Sequence, residues 1–376
     1  MPVDYLHLQH QIKKLAATAV TRSAELAHKL LDCQALLQAH ANDLSALQKA
    51  VEDATAQNKG LRCAKPVNES LTTRVSAVLP APACTIIAAD GSQINPDPHG
   101  SALFGLINVG IFTIRPGSGK APTVEIQSQL LYDQTLETET GLASEELIGL
   151  MRDVRERQIL AEQINGKDGL LITLTDGPLE LYHEPRQEAA FKSYFNKYLA
   201  ALDDLALEKT ITAGYVDRPR ASLVVRLLEL MAPDTATENP FGGVTDLALY
   251  EKILQPGERS AVFKLQSSSA HDYTNKKELH FFYLNVGSET NPSLARVEVP
   301  LWVVEDESSL SLLQSVLVEQ ARSTGAQPYP YPLVRAHETA VVKTDDRQQV
   351  TEMIERELIS SGMKPVFNSN KQSHKF

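Results

Sequence analysis

Two segments carry the side chains best suited to chemistry: Ala88-Ala89-Asp90-Gly91-Ser92-Gln93 and Thr175-Asp176-Gly177-Pro178-Leu179. Each closes a short apolar, partly β-branched run with an Asp-Gly step; the runs are Cys84-Thr85-Ile86-Ile87-Ala88-Ala89 and Leu170-Leu171-Ile172-Thr173-Leu174-Thr175. Such runs suit central strands buried on both faces. If the two strands are neighbours, their terminal carboxylates can share a divalent cation. Asp-Gly is also a common turn dipeptide, because Gly accepts positive φ and Asp bonds the local backbone. Asp168-Gly169, which precedes a strand, reads as a plain turn of that kind.

A third segment, Gln327-Pro328-Tyr329-Pro330-Tyr331-Pro332-Leu333-Val334-Arg335-Ala336-His337-Glu338, places alternating prolines before a helical stretch. The prolines stiffen the backbone and remove donors. Two readings stand: a domain-closing loop with aromatic packing, or a rigid holder for a phosphate or metal site that presents Tyr329, Arg335 and His337. Other motifs fail. Gly117-Ser118-Gly119-Lys120 lacks the first Gly and the Ser or Thr of a phosphate loop and reads as a hairpin turn. There is no HExxH and no nucleophile elbow, and His183, His271 and His280 stand alone.

The elements that must position these residues follow from the patterning. From Val3 to Lys59 the chain has no Pro or Gly, and Leu8, Ile12, Leu15, Ala19, Leu26, Leu30, Cys33, Leu37, Leu44, Leu47 and Val51 recur at helical spacing. This predicts a helical arm over 1–62, a hairpin or a dimerisation arm, with Arg22 and His40 interrupting any regular coiled coil. Strands are predicted at 84–89, 101–114 and 123–132, then a helix over 142–164. A strand at 170–175, a helix over 185–208, a strand at 211–216 and a helix over 221–231 follow. Further strands are expected at 261–265, 278–284 and 296–303, and helices over 308–322 and 344–361. Alternation of this kind predicts an α/β fold with a mixed sheet flanked by helices, spanning 63–364, with a polar, disordered tail over 365–376.

Composition adds bounds. The 376 residues are 43% hydrophobic and 22% charged with a formal net charge of −11, so any nucleic-acid contact must come from a local basic groove rather than a basic surface. Three cysteines without CxxC spacing argue for a reducing compartment, and no apolar leader or membrane-length run is present. The expectation is a cytoplasmic protein without a membrane partner.

In order, Ala88-Ala89-Asp90-Gly91-Ser92, Thr175-Asp176-Gly177-Pro178-Leu179, Gly214-Tyr215-Val216-Asp217-Arg218-Pro219-Arg220 and Tyr329-Pro330-Tyr331-Pro332-Leu333-Val334-Arg335-Ala336-His337 resemble the motifs of the NurA nucleases. The last block is the most specific. The resemblance implies an RNase H-like fold and a Mn²⁺- or Mg²⁺-dependent nuclease acting on single- and double-stranded DNA. It further implies 5′-3′ exonuclease and single-strand endonuclease activity in double-strand break end resection, with a hexameric HerA-type ATPase as partner; a homodimer formed through the helical arm and the nuclease domain is expected. It places the family's aspartates on Asp90 and Asp176, its C-terminal Tyr and His on Tyr329 and His337, and its helix glutamate on Glu156. Glu145, Glu146 and Glu162 are alternatives for the last.

On that reading two cations clamp an in-line phosphodiester displacement. Asp90 bridges them, Asp176 and Glu156 hold one and His337 the other, a histidine tilting preference toward Mn²⁺. Arg218, Arg220 and Arg335 are the candidates for gripping the DNA backbone. Two other classes compete: a non-catalytic DNA-repair adaptor of the same fold, and a metal phosphohydrolase for small substrates.

Overall fold

The computed structural model describes residues 3–98, 102–138, 141–182, 188–232 and 239–362. The polar tail expected over 365–376, and His183, lie outside them. The chain forms two compact units, one of residues 78–215, 273–277 and 298–376, the other of 1–77, 216–272 and 278–297.

The unit that holds both aspartates is built on five strands: β1 (Thr85–Ile94), β2 (Gly105–Ile114), β3 (Thr123–Leu131), β4 (Leu171–Asp176) and β5 (Ile211–Asp217). Their order is β3-β2-β1-β4-β5. β2 is antiparallel to β1 and β3, whereas β1, β4 and β5 run parallel. This is the strand order and orientation of the RNase H-like fold, as expected. β1 and β4 are central, so Ile86, Ile87, Ala88, Ala89, Ile172 and Leu174 are fully buried, as two-sided burial of an apolar run requires. β3 closes the edge and is largely exposed. Gly117 and Gly119 take positive φ between β2 and β3, so the glycine-rich segment is the hairpin turn its sequence suggests.

Helices cover this sheet. α1 (Glu145–Gln163) is capped by Ser144, whose hydroxyl accepts from Leu147 N, and buries Ile148, Leu150, Val154, Ile159 and Leu160. α2 (Ala189–Leu207) packs against α1. α3 (Glu307–Arg322), α4 (Tyr331–Ala340) and α5 (Thr344–Ser360) follow near the C-terminus. α4 starts on the proline block and lies on β1 and β2. That approach depends on Gly110: a Cβ there would stand 2.6 Å from Ala336 O and Ala340 N, which are backbone atoms unable to step aside.

The other unit contains helices Tyr5–Ala39 and Leu44–Gln57; the first runs through Arg22, and the chain leaves it at His40. Only part of the apolar stripe is packed: Cys33, Leu37, Leu47 and Val51 are buried, while Leu8, Ile12 and Leu15 are exposed. Strands Cys63–Pro66, Phe263–Gln266 and Leu279–Asn285 pair antiparallel in that order. Buried Asp246 accepts from Val224 N (3.0 Å), Val225 N (2.9 Å) and Tyr283 OH (2.6 Å), which fixes the start of helix Leu223–Glu229. The strand expected at 296–303 is Leu294–Pro300, and Leu301–Val304 is a helical turn instead. Pro300 supplies no donor and takes the helix N-cap position, ending the strand there. Among the described residues no helix is long and apolar enough to cross a membrane.

Candidate metal centre and nuclease active site

The register of β1 and β4 pairs Ala89 with Thr175, so Asp90 and Asp176 are the next residues on neighbouring parallel strands. Adjacent strands lie about 4.8 Å apart, and both carboxylates therefore sit at one level of the sheet. They line a cleft of about 510 Å³ together with Gly91, Arg152, Asp153, Glu156, Arg157, Thr175, Glu180, Tyr198 and His337. Four of the five residues assigned to the reaction centre from sequence are thus in one cleft.

His337 reaches the cleft from the middle of α4, where its Nδ1 lies 2.7 Å from Asp90 Oδ2. An ionised carboxylate only accepts, so the shared proton belongs to Nδ1, and in the neutral imidazole Nε2 keeps its lone pair. Its side chain is 62% exposed against 15% for that of Asp90. The imidazole is held at its inner edge and open at its outer one.

Glu156 enters from α1 and is 6% exposed. Glycine at 91 is required for it: a Cβ on Gly91 would lie 2.5 Å from Glu156 Oε1 and 2.6 Å from Arg152 Cγ. Burial, then the charges of Asp153 and Asp90, raise its carboxyl well above the usual range, with Arg152 and Arg157 opposing. The alternatives on α1 are placed differently. Glu162 is taken up by Arg155 (2.7 Å) and is exposed, and Glu145 lines a separate pocket with Lys343 and Arg347.

Sequence reasoning missed part of the cleft. Arg152 spans it, with Nη2 2.7 Å from Asp153 Oδ1, Nη1 3.3 Å from Gln93 Oε1 and Nε 3.5 Å from Glu156 Oε1. The i,i+3 and i,i+4 spacing of Asp153 and Arg152 around Glu156 on a helix was the available signal. Arg157 donates from Nη2 to Thr175 Oγ1 at 2.8 Å and stacks over the Tyr198 ring at 5.7 Å.

The remaining sequence candidates are not among the cleft-lining residues. Tyr329 packs edge-on against Tyr215, ring centroids 5.2 Å apart, and its backbone is tied to Thr324 Oγ1. Arg335 is ion-paired with Glu338 one turn along α4. Arg218 and Arg220 follow β5, are exposed, and belong to the other unit. His280 is buried in its strand, and His271 borders a different pocket.

Among the described residues no group of three or more His, Cys, Asp or Glu side chains is close enough to hold a metal ion. The donor set nevertheless fits a hard cation: Asp90, Glu156 and Asp176 supply oxygens, His337 one nitrogen, and the crowded, buried Glu156 carboxyl would be relieved by positive charge.

The NurA domain model matches residues 84–342, a span that opens just before β1 and closes just after α4. The chain belongs to the NurA family. Among solved structures it resembles the NurA nuclease from Sulfolobus solfataricus, with a TM-score of 0.52 and 15% identity over 76% of this chain and 87% of that one. It also matches the catalytic domain of human Endonuclease V, with a TM-score of 0.35 and 13% identity over 83% of this chain and 97% of that one. No curated protein matches this NurA chain in sequence.

Proposed function

We propose that this NurA-family chain is a divalent-metal-dependent deoxyribonuclease that hydrolyses phosphodiesters. The observation that carries the reading is the convergence of Asp90, Glu156, Asp176 and His337 in one cleft at the end of the parallel strands. Asp90, Glu156 and Asp176 would hold Mn²⁺ or Mg²⁺, with His337 completing the set. When bound, such cations supply an activated water and neutralise charge on the attacking and leaving oxygens. Asp90 orients the His337 ring, which leaves Nε2 as a ligand or as an acceptor for the proton of the attacking water. Arg152, at the cleft wall, pairs with Asp153 and Glu156 and is a candidate for meeting a phosphate oxygen. Arg218, Arg220 and Arg335 are candidates for contacting the DNA backbone, whereas Tyr329, packed on Tyr215 outside the cleft lining, is given no part in the reaction.

The finer activity we infer is 5′-3′ exonuclease and single-strand endonuclease cleavage in double-strand break end resection. A hexameric HerA-type ATPase would feed the DNA to a homodimer of this chain. Support for that comes from family membership. Incubation of 5′-labelled single- and double-stranded DNA with Mn²⁺, Mg²⁺ or EDTA tests the reading. Cation-dependent shortening of the polymer, with no turnover of p-nitrophenyl phosphate, is expected. Turnover of the small ester without attack on DNA would mark a small-substrate phosphohydrolase instead. No cleavage with any cation, alone or with the ATPase, would leave an adaptor.

A further inference from the structure

Arg157 is the side chain in the cleft whose burial is hardest to explain as packing. It is 2% exposed, yet its Nε and Nη1 atoms have no hydrogen-bond partner among the described residues. A buried guanidinium that leaves two of its nitrogens unpaired is a poor structural device, because desolvation of the charge is only partly offset. Its bond from Nη2 to Thr175 Oγ1, at 2.8 Å, joins two particular places. Arg157 directly follows Glu156 on α1, and Thr175 directly precedes Asp176 on β4. The Tyr198 ring beneath the guanidinium fixes it from the other side, and Tyr198 OH donates to Leu179 O at 2.9 Å in the turn that follows Asp176.

We propose that Arg157 is a positioning residue for the candidate metal centre: through Thr175 and Tyr198 it locks the helix that carries Glu156 to the strand end that carries Asp176. Two carboxylates on different elements can share a cation only if the elements keep their separation to a fraction of an ångström. Hydrophobic contact between α1 and the sheet is non-directional, whereas a charge-assisted hydrogen bond also fixes the register and orientation of the groups it joins. The positive charge held at Thr175, next to Asp176, also offsets repulsion among the cleft carboxylates before a cation arrives. The assignment rests on the proposed metal-dependent reading, and a binding measurement separates the two.

Calorimetric titration of the full chain with Mn²⁺ is the test, using wild type, Thr175→Val, Thr175→Ser, Arg157→Met and the Arg157→Met/Thr175→Val double variant. Thr175→Val keeps the shape and the buried charge while removing the acceptor, so folding, followed by circular dichroism, should persist. Its Mn²⁺ dissociation constant is expected to rise about tenfold, as for other residues that orient metal ligands, with Thr175→Ser restoring it to within about threefold. The double variant should bind no worse than Arg157→Met alone, since both changes break one interaction. Wild-type affinity in Thr175→Val, no rescue by serine, or additive losses in the double variant would each overturn the assignment while leaving the nuclease reading intact. A wild-type chain that neither binds Mn²⁺ nor cleaves DNA would overturn both. Should Arg157→Met fail to fold, the Thr175 pair decides.

Discussion

His337 Nδ1 lies 2.7 Å from Asp90 Oδ2, joining the helix after the proline block to the central strand across 247 residues of sequence. The contact brings a residue of the third segment against one of the first. Replacing His337 by Ala removes a largely exposed side chain, so stability should stay within about 0.5 kcal/mol of wild type. Nuclease activity should fall by about 10² or more, the scale of a lost general base or metal ligand. Parallel thermal melts and cleavage assays would show both effects, and retention of more than a third of the activity would remove His337 from the reaction.

Gly91 faces the Glu156 carboxylate and the Arg152 stem, and Gly91→Ala must displace both. Overpacking of this kind costs about 1–3 kcal/mol. Activity should suffer more than stability does, because the displaced atom is the proposed ligand itself. Chemical denaturation beside a cleavage assay separates the two losses.

Gly110→Ala acts at a distance. Its Cβ would press on the backbone of α4 at Ala336 and Ala340, on either side of His337. The variant is expected to lose about 1–3 kcal/mol and to weaken the Asp90–His337 contact. Loss of the coupled Asp90–His337 chemical shifts in NMR spectra of labelled protein would report it.

How much of this was legible in the chain divides by range. The two Asp-Gly segments, the strands that carry them and α1 follow from local patterning, since a buried strand needs an apolar run and a helix needs apolar residues three and four apart. Glu156 could not be chosen over Glu162 on a helical wheel, because Glu156 is a buried charged residue that breaks the apolar pattern. Tyr329 keeps its place in the motif, but packing against Tyr215 is a tertiary fact with no local signal. The Arg157–Thr175 bond is equally invisible, as it joins residues 18 positions apart through the fold. The turn at Leu301–Val304 was hidden because Val and Trp suit strands, and only the proline before them marks the change.

The raised Glu156 carboxyl gives metal binding a pH dependence with a definite sign. Burial and the neighbouring carboxylates make Glu156 hold its proton to higher pH than an ordinary glutamate, and a cation must displace that proton. Apparent Mn²⁺ affinity should therefore fall as pH is lowered, and the fall should begin at a higher pH than an ordinary glutamate ligand would give. In Glu156→Gln, affinity should be lower throughout and the slope shallower. Mn²⁺ titrations at several pH values would check this, and an unchanged slope in the variant would assign the titration elsewhere.

The three cysteines give a second pH prediction. Burial pushes the Cys33 and Cys63 thiols up to about 12 and that of Cys84 to about 11. In the unfolded chain a thiol ionises near about 8.5, so the folded state forgoes ionisation that the unfolded state gains. Their contribution to stability is complete below that pH and is lost as pH rises toward the folded values. Native protein should resist thiol-specific aromatic disulfide reagents at pH 8 and react fully in denaturant, and denaturant midpoints should drop between pH 8 and pH 10.5.

The most direct measurement compares wild type with Asp90→Ala from matched preparations, on 5′-labelled single- and double-stranded DNA with Mn²⁺. A metal-dependent nuclease centred on Asp90 predicts cleavage by wild type that EDTA abolishes and the variant lacks, with both proteins folded. Cleavage that survives in Asp90→Ala at the wild-type rate would contradict the site, and with it the proposed mechanism.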